Sequence, residues 1–209
     1  MSKFLSYPVS PVSVNQPFGV NPEYYARFKD RYGNPEKGHM GVDFMAYHGQ
    51  PLYAPCDGDA KWIEDAHGGE GIWLDTLDGQ YRVIMWHLCS KNDPQYKPLI
   101  STNTYVRVTK GQHIAYTDNS GAPFESSGDH LHFGLVPLNG SDVAYPDNGF
   151  NGCVDPMPFF SGETALPTPK QPVATSVPFE QAVKNLQSAH LPGPIYALAL
   201  WILKRKYGV

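Results

Sequence analysis

The residues best suited to chemistry in this sequence are the two histidines of the segment Gly128-Asp129-His130-Leu131-His132. Apolar residues alternate after them, so the segment predicts a strand in which His130 and His132 share one face and Leu131 points to the opposite layer. Two imidazoles placed in this way can serve one metal centre, one as a ligand and the other just outside the ligand shell. A pair of hydrogen-bonded histidines is the simpler alternative, and the rest of the chain must decide between the two.

Three further residues have the chemistry of a metal or proton-transfer site. His39 and Asp43 are four positions apart, so an extended segment places them on one face, and imidazole nitrogen and carboxylate oxygen both suit zinc. His87 ends a strand-like stretch, where a partly buried imidazole bonded to a carbonyl is the simpler alternative. The remaining histidines have no partner at ligand spacing and are expected to be surface or packing residues: His48, His67, His113 and His190.

The elements expected to position these residues are short strands separated by turns. The 209 residues include 20 Gly and 20 Pro, and Tyr, Trp, Val, Ile and Thr fill the intervals between them, as is typical of a β-rich protein. Strands are predicted over 60–64, 71–77, 81–88 and 105–108, with a hairpin turn at Asp78-Gly79. The sequence therefore predicts an all-β fold, mainly an antiparallel sheet, with a short α-helical appendage at the C-terminus.

Composition divides the chain into three parts. Residues 1–162 form the predicted catalytic body, 163–177 form a Pro/Thr-rich linker, and 178–209 form a short helical segment whose role the sequence leaves open. The second predicted helix of that segment is apolar nearly all round and ends in Lys204-Arg205-Lys206, which suits a helix C-terminus. The same basic end would also allow weak contact with an anionic envelope surface, although capping of a packed helix is the simpler interpretation.

Charge and hydropathy exclude several classes of partner. The net charge of −4 provides no general surface for nucleic acid. The longest apolar run, Ile195 to Leu203, is half the length that a transmembrane helix needs. The first residues lack the apolar core of a signal peptide, so synthesis as a soluble chain in the cytoplasm is expected. Three cysteines match no disulfide or zinc-finger framework and are expected to be reduced and packed in the interior: Cys56, Cys89 and Cys153. No pattern indicates an oligomeric state.

Together these motifs resemble the lysostaphin-type zinc metallopeptidases, which cut peptide cross-bridges of bacterial peptidoglycan. The resemblance covers roughly residues 18–156. It rests on Phe18-Gly19, His39-x-x-x-Asp43-Phe44, Gly49-x-Pro51-x-x-Ala54-Pro55-x-Asp57-Gly58, Trp86-His87-Leu88, Gly111-x-x-Ile114-Ala115 with Ser120-Gly121, and His130-Leu131-His132-Phe133. It implies that zinc is bound by His39, Asp43 and His132, and that His87 and His130 are unligated catalytic histidines. It also implies a compact antiparallel sheet whose loops form a groove over the metal.

The function implied by the resemblance is zinc-dependent hydrolysis of peptide bonds in peptidoglycan stem peptides or cross-bridges by a metal-activated water. His130 is then assigned mainly to that water, and His87 mainly to the oxyanion or the leaving group. Without a signal peptide, the chain resembles a phage lytic enzyme or a virion component that reaches the cell wall after release.

Two alternatives use the same residues differently. One is a non-catalytic structural or adaptor module with the same fold, for example in a phage tail. The other is a cupin-like metal-binding barrel, which is disfavoured because it needs a glutamate shortly after the pair and the next one is Glu163.

Three features depart from the family pattern. Cys56 stands where a small aliphatic residue is common, and Asp129 precedes His130 where uncharged residues are commoner. A carboxylate at 129 would either orient an imidazole or face solvent. The insertion at 93–103 is expected to reshape one wall of the groove.

Overall fold

The computed structural model describes residues 3–29, 33–66 and 68–164. The chain divides into two compact units, residues 1–167 and 168–209, and every described residue belongs to the first. The predicted C-terminal helices and all but the start of the predicted linker lie outside the described residues, as do His67 and His190. Within the described part, no helix is long and apolar enough to cross a membrane.

Strands dominate the described part of the chain, with one α-helical turn, α1 (Pro22–Tyr25), and one 3-10 turn at Met157–Phe159. The strands are β1 (Leu5–Tyr7), β2 (Val14–Gln16), β3 (Val42–Met45), β4 (Pro51–Tyr53), β5 (Gly58–Asp65), β6 (Gly69–Thr76), β7 (Tyr81–Trp86), β8 (Val106–Val108), β9 (His113–Tyr116), β10 (His130–Asn139), β11 (Asp142–Val143) and β12 (Phe160–Thr164). The prediction of an all-β, mainly antiparallel fold is confirmed, and the ends of the four predicted strands differ from the observed ends by at most two residues.

The main sheet has eight strands in the order β2-β3-β10-β7-β6-β5-β8, with β11 paired to β10. Strand β10 lies near its middle, between β3 and β7, and is the longest strand. Its antiparallel register places His132 opposite Asp43 on one side and opposite Trp86 on the other. Two residues that are 89 positions apart in sequence therefore become direct neighbours on the sheet.

The core fixes this register. Leu131, Phe133 and Leu135 of β10 are completely buried, so the face of β10 opposite the histidines is committed to the interior. Phe160 of β12 packs on that face, with its ring centroid 5.2 Å from that of Phe133. A slip of one residue would exchange the two faces of β10 and expose the apolar side chains. The three cysteines are buried and unpaired, as predicted.

Truncation of a side chain on the buried face of β10 should lower the free energy of unfolding much more than truncation of an exposed leucine. Leu131→Ala removes a completely buried side chain and is expected to lower the free energy of unfolding by about 2–5 kcal/mol. Leu77→Ala is the matched control, because Leu77 is 55% exposed and the change should cost less than about 0.5 kcal/mol. Urea unfolding of both variants measures the difference, and equal costs would contradict the assigned faces.

Candidate metal centre

Three side-chain atoms converge on one point beside the β3–β10 pair. His39 Nε2 lies 3.0 Å from His132 Nδ1 and 3.1 Å from Asp43 Oδ1, and His132 Nδ1 lies 3.0 Å from the same carboxylate oxygen. All three residues are buried. The residues that the sequence predicted as ligands are therefore brought together, although 93 positions separate the first from the last.

This triangle of donors fits a zinc ion. Ligands held about 2.05 Å from zinc in a tetrahedron are separated by about 3.3 Å, close to the separations of these atoms. Two imidazole nitrogens and one carboxylate oxygen form a common donor set for catalytic zinc, in which three protein ligands leave the fourth position for water.

Hydrogen bonds outside the triangle orient its first ligand. His39 Nδ1 donates to the Pro17 carbonyl at 3.1 Å, which leaves the lone pair of the neutral ring on Nε2, the atom that faces the other two donors. The backbone of His39 is also held on both sides, because its N–H donates to Val20 and its carbonyl accepts from Gly19. The segment between β2 and α1 therefore fixes both the position and the tautomer of this imidazole.

A glycine makes room for the second imidazole. A Cβ placed on Gly41 would lie 2.6 Å from His132 Cε1 and 2.7 Å from its Nε2, too close for any side chain. Gly41 therefore allows β3 to pass against the ring of His132. The role of this glycine appears only when β3 and β10 are paired, because no sequence spacing connects Gly41 to His132.

The electrostatics of the triangle favour an ionised carboxylate. Burial alone would raise the pKa of Asp43, but the hydrogen bond from His132 and the neighbouring imidazole of His39 outweigh it and hold the pKa well below its usual range. Burial lowers the pKa of His132, and its bond to Asp43 offsets only part of that effect. A charged Asp43 and a neutral His132 are the protonation states in which both can bind a metal.

The two other predicted histidines stand beside the triangle. The ring centroid of His87 lies 4.5 Å from that of His130 and 6.1 Å from that of His132. His87 Nδ1 donates to the Ser120 carbonyl at 2.7 Å, and His130 Nδ1 donates to the Gly128 carbonyl at 2.7 Å. In the neutral ring each therefore keeps its lone pair on Nε2, and for His130 that atom lies 3.8 Å from Asp43 Oδ2.

The surroundings of His87 and His130 differ. Burial, followed by the charges of His132 and His130, lowers the pKa of His87 to about 3. The side chain of His130 is 13% exposed and faces the carboxylate of Asp43. His87 is thus held neutral, whereas a proton on His130 would have an anionic neighbour.

A cavity of about 260 Å³ opens over these five residues. Its walls come from the α1 region, from the end of β7 and from three loops. The sequence identified none of these residues as site residues: Tyr24, Tyr25, Phe28, Lys29, Glu36, Met40, Trp86, Glu125 and Asn151. Tyr25 packs on His39 with ring centroids 5.4 Å apart, and its hydroxyl accepts a hydrogen bond from Gln16 at 2.6 Å.

Two expectations about the surroundings are resolved by the fold. Among the described residues that line the cavity, none comes from the 93–103 insertion, whose Tyr96 instead packs against Tyr116 and His48. The expectation that this insertion shapes the groove wall is therefore wrong for this cavity. Asp129 accepts a hydrogen bond from the backbone N–H of His48 at 3.0 Å, so its carboxylate anchors a loop.

Comparisons with known proteins agree with this geometry. The model of the family described as "Peptidase family M23" matches residues 37–144, about half of the chain. An uncharacterized metalloprotease of Haemophilus influenzae is 30% identical over 132 residues, which are 62% of this chain and 24% of that protein. The glycyl-glycine endopeptidase ALE-1 of Staphylococcus capitis is 32% identical over 124 residues, which are 58% of this chain and 28% of that protein. The chain thus spans about a quarter of the length of these curated relatives.

Solved structures show the same fold. The antimicrobial peptidase lysostaphin from Staphylococcus simulans superimposes with a TM-score of 0.51 at 23% identity, covering 82% of this chain and 61% of that chain. The prophage-encoded M23 protein EnpA from Enterococcus faecalis, as a mutant catalytic domain, gives a TM-score of 0.50 at 20% identity and covers 74% and 95% of the two chains. The sheet described above is therefore the lysostaphin-type fold.

Filling the space at Gly41 should weaken metal binding. Gly41→Ala places a methyl group against His132, and displacement of that ring is expected to lower zinc affinity roughly 10–100-fold. Competition with a chromophoric chelator measures the affinity. Gly134→Ala is the matched control, since its added Cβ would lie 3.5 Å from the nearest atom, Cys153 Sγ, an ordinary contact. Equal affinities in the two variants would show that Gly41 does not position the ring.

The neutral state of His87 predicts a pH dependence of the metal-free protein. Its folded pKa of about 3 lies below the unfolded value, so the unfolded chain takes up a proton as the pH falls below about 6.5 and the folded chain does not. Stability is therefore lost on acidification. Between pH 6.5 and pH 5 the wild type should lose about 2 kcal/mol more than His87→Gln in urea unfolding with chelator present. Parallel losses in the two proteins would contradict a neutral, buried His87.

Proposed function

Since the chain belongs to peptidase family M23, we propose that it is a zinc-dependent endopeptidase that hydrolyses peptide bonds of bacterial peptidoglycan. The observation that carries the proposal is the set of three buried donors, His39, Asp43 and His132, whose ligating atoms lie 3.0–3.1 Å apart. Two further imidazoles, of His87 and His130, stand beside them with one nitrogen each left to act on a substrate.

His39, Asp43 and His132 would hold the metal. Zinc bound there would lower the pKa of a water from 15.7 to about 7 and polarise the scissile carbonyl. In the metal-free protein the imidazoles of His132 and His39 keep Asp43 ionised, and the Pro17 carbonyl holds His39 in the ligating tautomer.

His130 is the proposed general base. A base becomes cationic when it accepts a proton, and the Asp43 carboxylate, 3.8 Å from His130 Nε2, would stabilise that imidazolium. The bond from Nδ1 to the Gly128 carbonyl keeps Nε2 as the accepting atom and orients the ring, and the same Nε2 can return the proton to the leaving amine. These contacts support the assignment of His130 to the attacking water.

His87 is suited to orientation. Its burial opposes a positive charge, and its Nδ1–H is committed to the Ser120 carbonyl, so Nε2 can only accept a hydrogen bond. It would therefore hold the attacking water or the N–H of the scissile amide in place. These features support a role at the water or leaving group more than donation to the oxyanion.

The shape of the cleft supports an extended peptide substrate. A second cavity, between residues 15–27 and 123–130, shares Tyr24, Tyr25, Glu125 and His130 with the first, so the groove continues past the metal site. The walls of this groove combine aromatic rings with carboxylates. Such a lining suits an extended peptide that has small side chains and carries amino groups. One relative is named a glycyl-glycine endopeptidase, which supports cross-bridge or stem peptides as the substrate class for this chain.

Digestion of purified cell walls tests the proposal. Chelation of the metal, or His132→Ala, should abolish release of soluble fragments, and His130→Ala should reduce the rate at least about 100-fold while zinc remains bound. His113→Gln is the control, because His113 lies outside the cleft and bonds the Ala115 carbonyl. Turbidity of wall suspensions measures the rate, and mass spectrometry of fragments from walls of two cross-bridge types identifies the bond. Undiminished digestion by the chelated protein would sink the proposal, and binding of walls without any cleavage would favour a structural or adaptor module.

A further inference from the structure

A second cluster of metal-ligating side chains lies apart from the proposed catalytic centre. A ring nitrogen of His48, Cys89 Sγ and a carboxylate oxygen of Asp93 all lie within 4.8 Å of one another. His48 Nδ1 is 3.9 Å from Cys89 Sγ. Cys89 is buried, Asp93 is half-buried and 48% of the His48 side chain is exposed. The cluster therefore lies at the protein surface, where an ion can reach it from solvent.

The donors are of the types that zinc-class metals prefer. A thiolate, an imidazole nitrogen and a carboxylate oxygen together suit Zn²⁺, and a thiolate selects against Mg²⁺ and Ca²⁺. Asp93 is held in place because one of its oxygens accepts from the backbone N–H groups of Gln95 and Tyr96 at 2.7 and 2.6 Å.

The local charge favours a cation. The carboxylates of Asp93, Asp118 and Asp129 act on both His48 and Cys89. Asp118 Oδ1 lies 2.8 Å from His48 Nδ1, and Asp129 accepts from the His48 backbone. Lys97 lies near Asp93 and offsets part of this negative charge.

We propose that His48, Cys89 and Asp93 form a second metal site that takes a zinc-class divalent ion. In the metal-free protein the Cys89 thiol is neutral and donates to the Thr117 carbonyl at 3.1 Å. On binding, the S–H bond breaks, its proton passes to solvent and Sγ bonds the ion. His48 gives up the Nδ1 proton that it shares with Asp118 Oδ1, that hydrogen bond breaks, and the neutral ring binds the ion through Nδ1 with its proton on Nε2. Because protons are released, binding strengthens as the pH rises.

The site would tie together the segments that carry the proposed catalytic histidines. Cys89 lies two residues after His87. The backbone of Asp118 connects His87 to His130, because its N–H donates to the His87 carbonyl at 2.8 Å and its carbonyl accepts from the His130 N–H at 3.3 Å. An ion held by His48 and Cys89 would cross-link the loop before β4 to this region. Because it binds only the folded chain, it would stabilise the fold by mass action, independently of the proposed peptidase activity.

Cobalt substitution tests the site directly, with the full-length chain and CoCl₂ as the probe. Cobalt bound to a thiolate has a charge-transfer band in the near ultraviolet, and the donors of the catalytic centre, His39, Asp43 and His132, include no sulfur. The band should appear in the wild type and in His132→Ala, disappear in Cys89→Ser and persist in Cys153→Ser, a matched change at another buried cysteine. His48→Ala, at an exposed position, should weaken the cobalt affinity that this band reports at least tenfold.

Zinc content provides the second measurement. After exchange into zinc-containing buffer and removal of free metal, the wild type should hold two ions per chain, and Cys89→Ser and His132→Ala should each hold one. Circular dichroism checks that each variant is folded, and His48→Ala replaces Cys89→Ser if the latter is not. A wild type without a thiolate band, or a band that survives in Cys89→Ser, overturns the second site. Loss of metal only in His132→Ala would overturn it and leave the catalytic proposal standing.

Discussion

The pairing of β10 with β3 is the constraint on which the metal centre depends. It sets His132 opposite Asp43, so one ladder of backbone hydrogen bonds fixes the distance between two proposed ligands. The buried face of β10 prevents this ladder from slipping, because a shift of one residue would move Leu131 and Phe133 out of the apolar core and place both histidines in it. Hydrophobic burial on one side of the strand therefore determines metal-site geometry on the other.

Main-chain carbonyls complete the site by selecting tautomers. The Nδ1 atoms of His39, His87 and His130 each donate to a carbonyl, and each acceptor lies outside regular strands, at residues 17, 120 and 128. A strand could place these rings, but it could not fix which nitrogen carries the proton. The loop carbonyls determine it by accepting from Nδ1, and each neutral ring therefore has its free lone pair on Nε2. The loops that carry residues 17, 120 and 128 are therefore needed for the geometry of the metal centre, as the sheet is.

The sheet could be predicted from sequence because it follows local rules, and the proximity of the five central residues was expected from motifs that resemble one family. Alternation along β10 separates His130 from Leu131, and turn residues delimit the strands. The cavity walls could not be predicted, because Tyr25 and Asn151 belong to irregular segments in which no period relates position to direction. The cluster of His48, Cys89 and Asp93 could not be predicted for a related reason, because its residues come from two loops and no fixed spacing connects them. The partner of Asp129, the backbone N–H of His48, could not be predicted either, because this contact depends on the tertiary structure.

The backbone at His87 shows how firmly this region is held. His87 has φ of 66°, in the left-handed region that a non-glycine residue adopts at a cost of about 1–3 kcal/mol. The turn ends β7 and allows Leu88 to enter the core while the imidazole faces the cavity. Two hydrogen bonds oppose relaxation, one from its Nδ1 to Ser120 and one from the Asp118 N–H to its carbonyl. Both partners belong to the loop between β9 and β10, which also carries the carboxylate that holds His48. An ion bound through His48 Nδ1 would release the Asp118 carboxylate, so occupation of the second cluster would change a contact of the same loop that keeps His87 in its strained conformation.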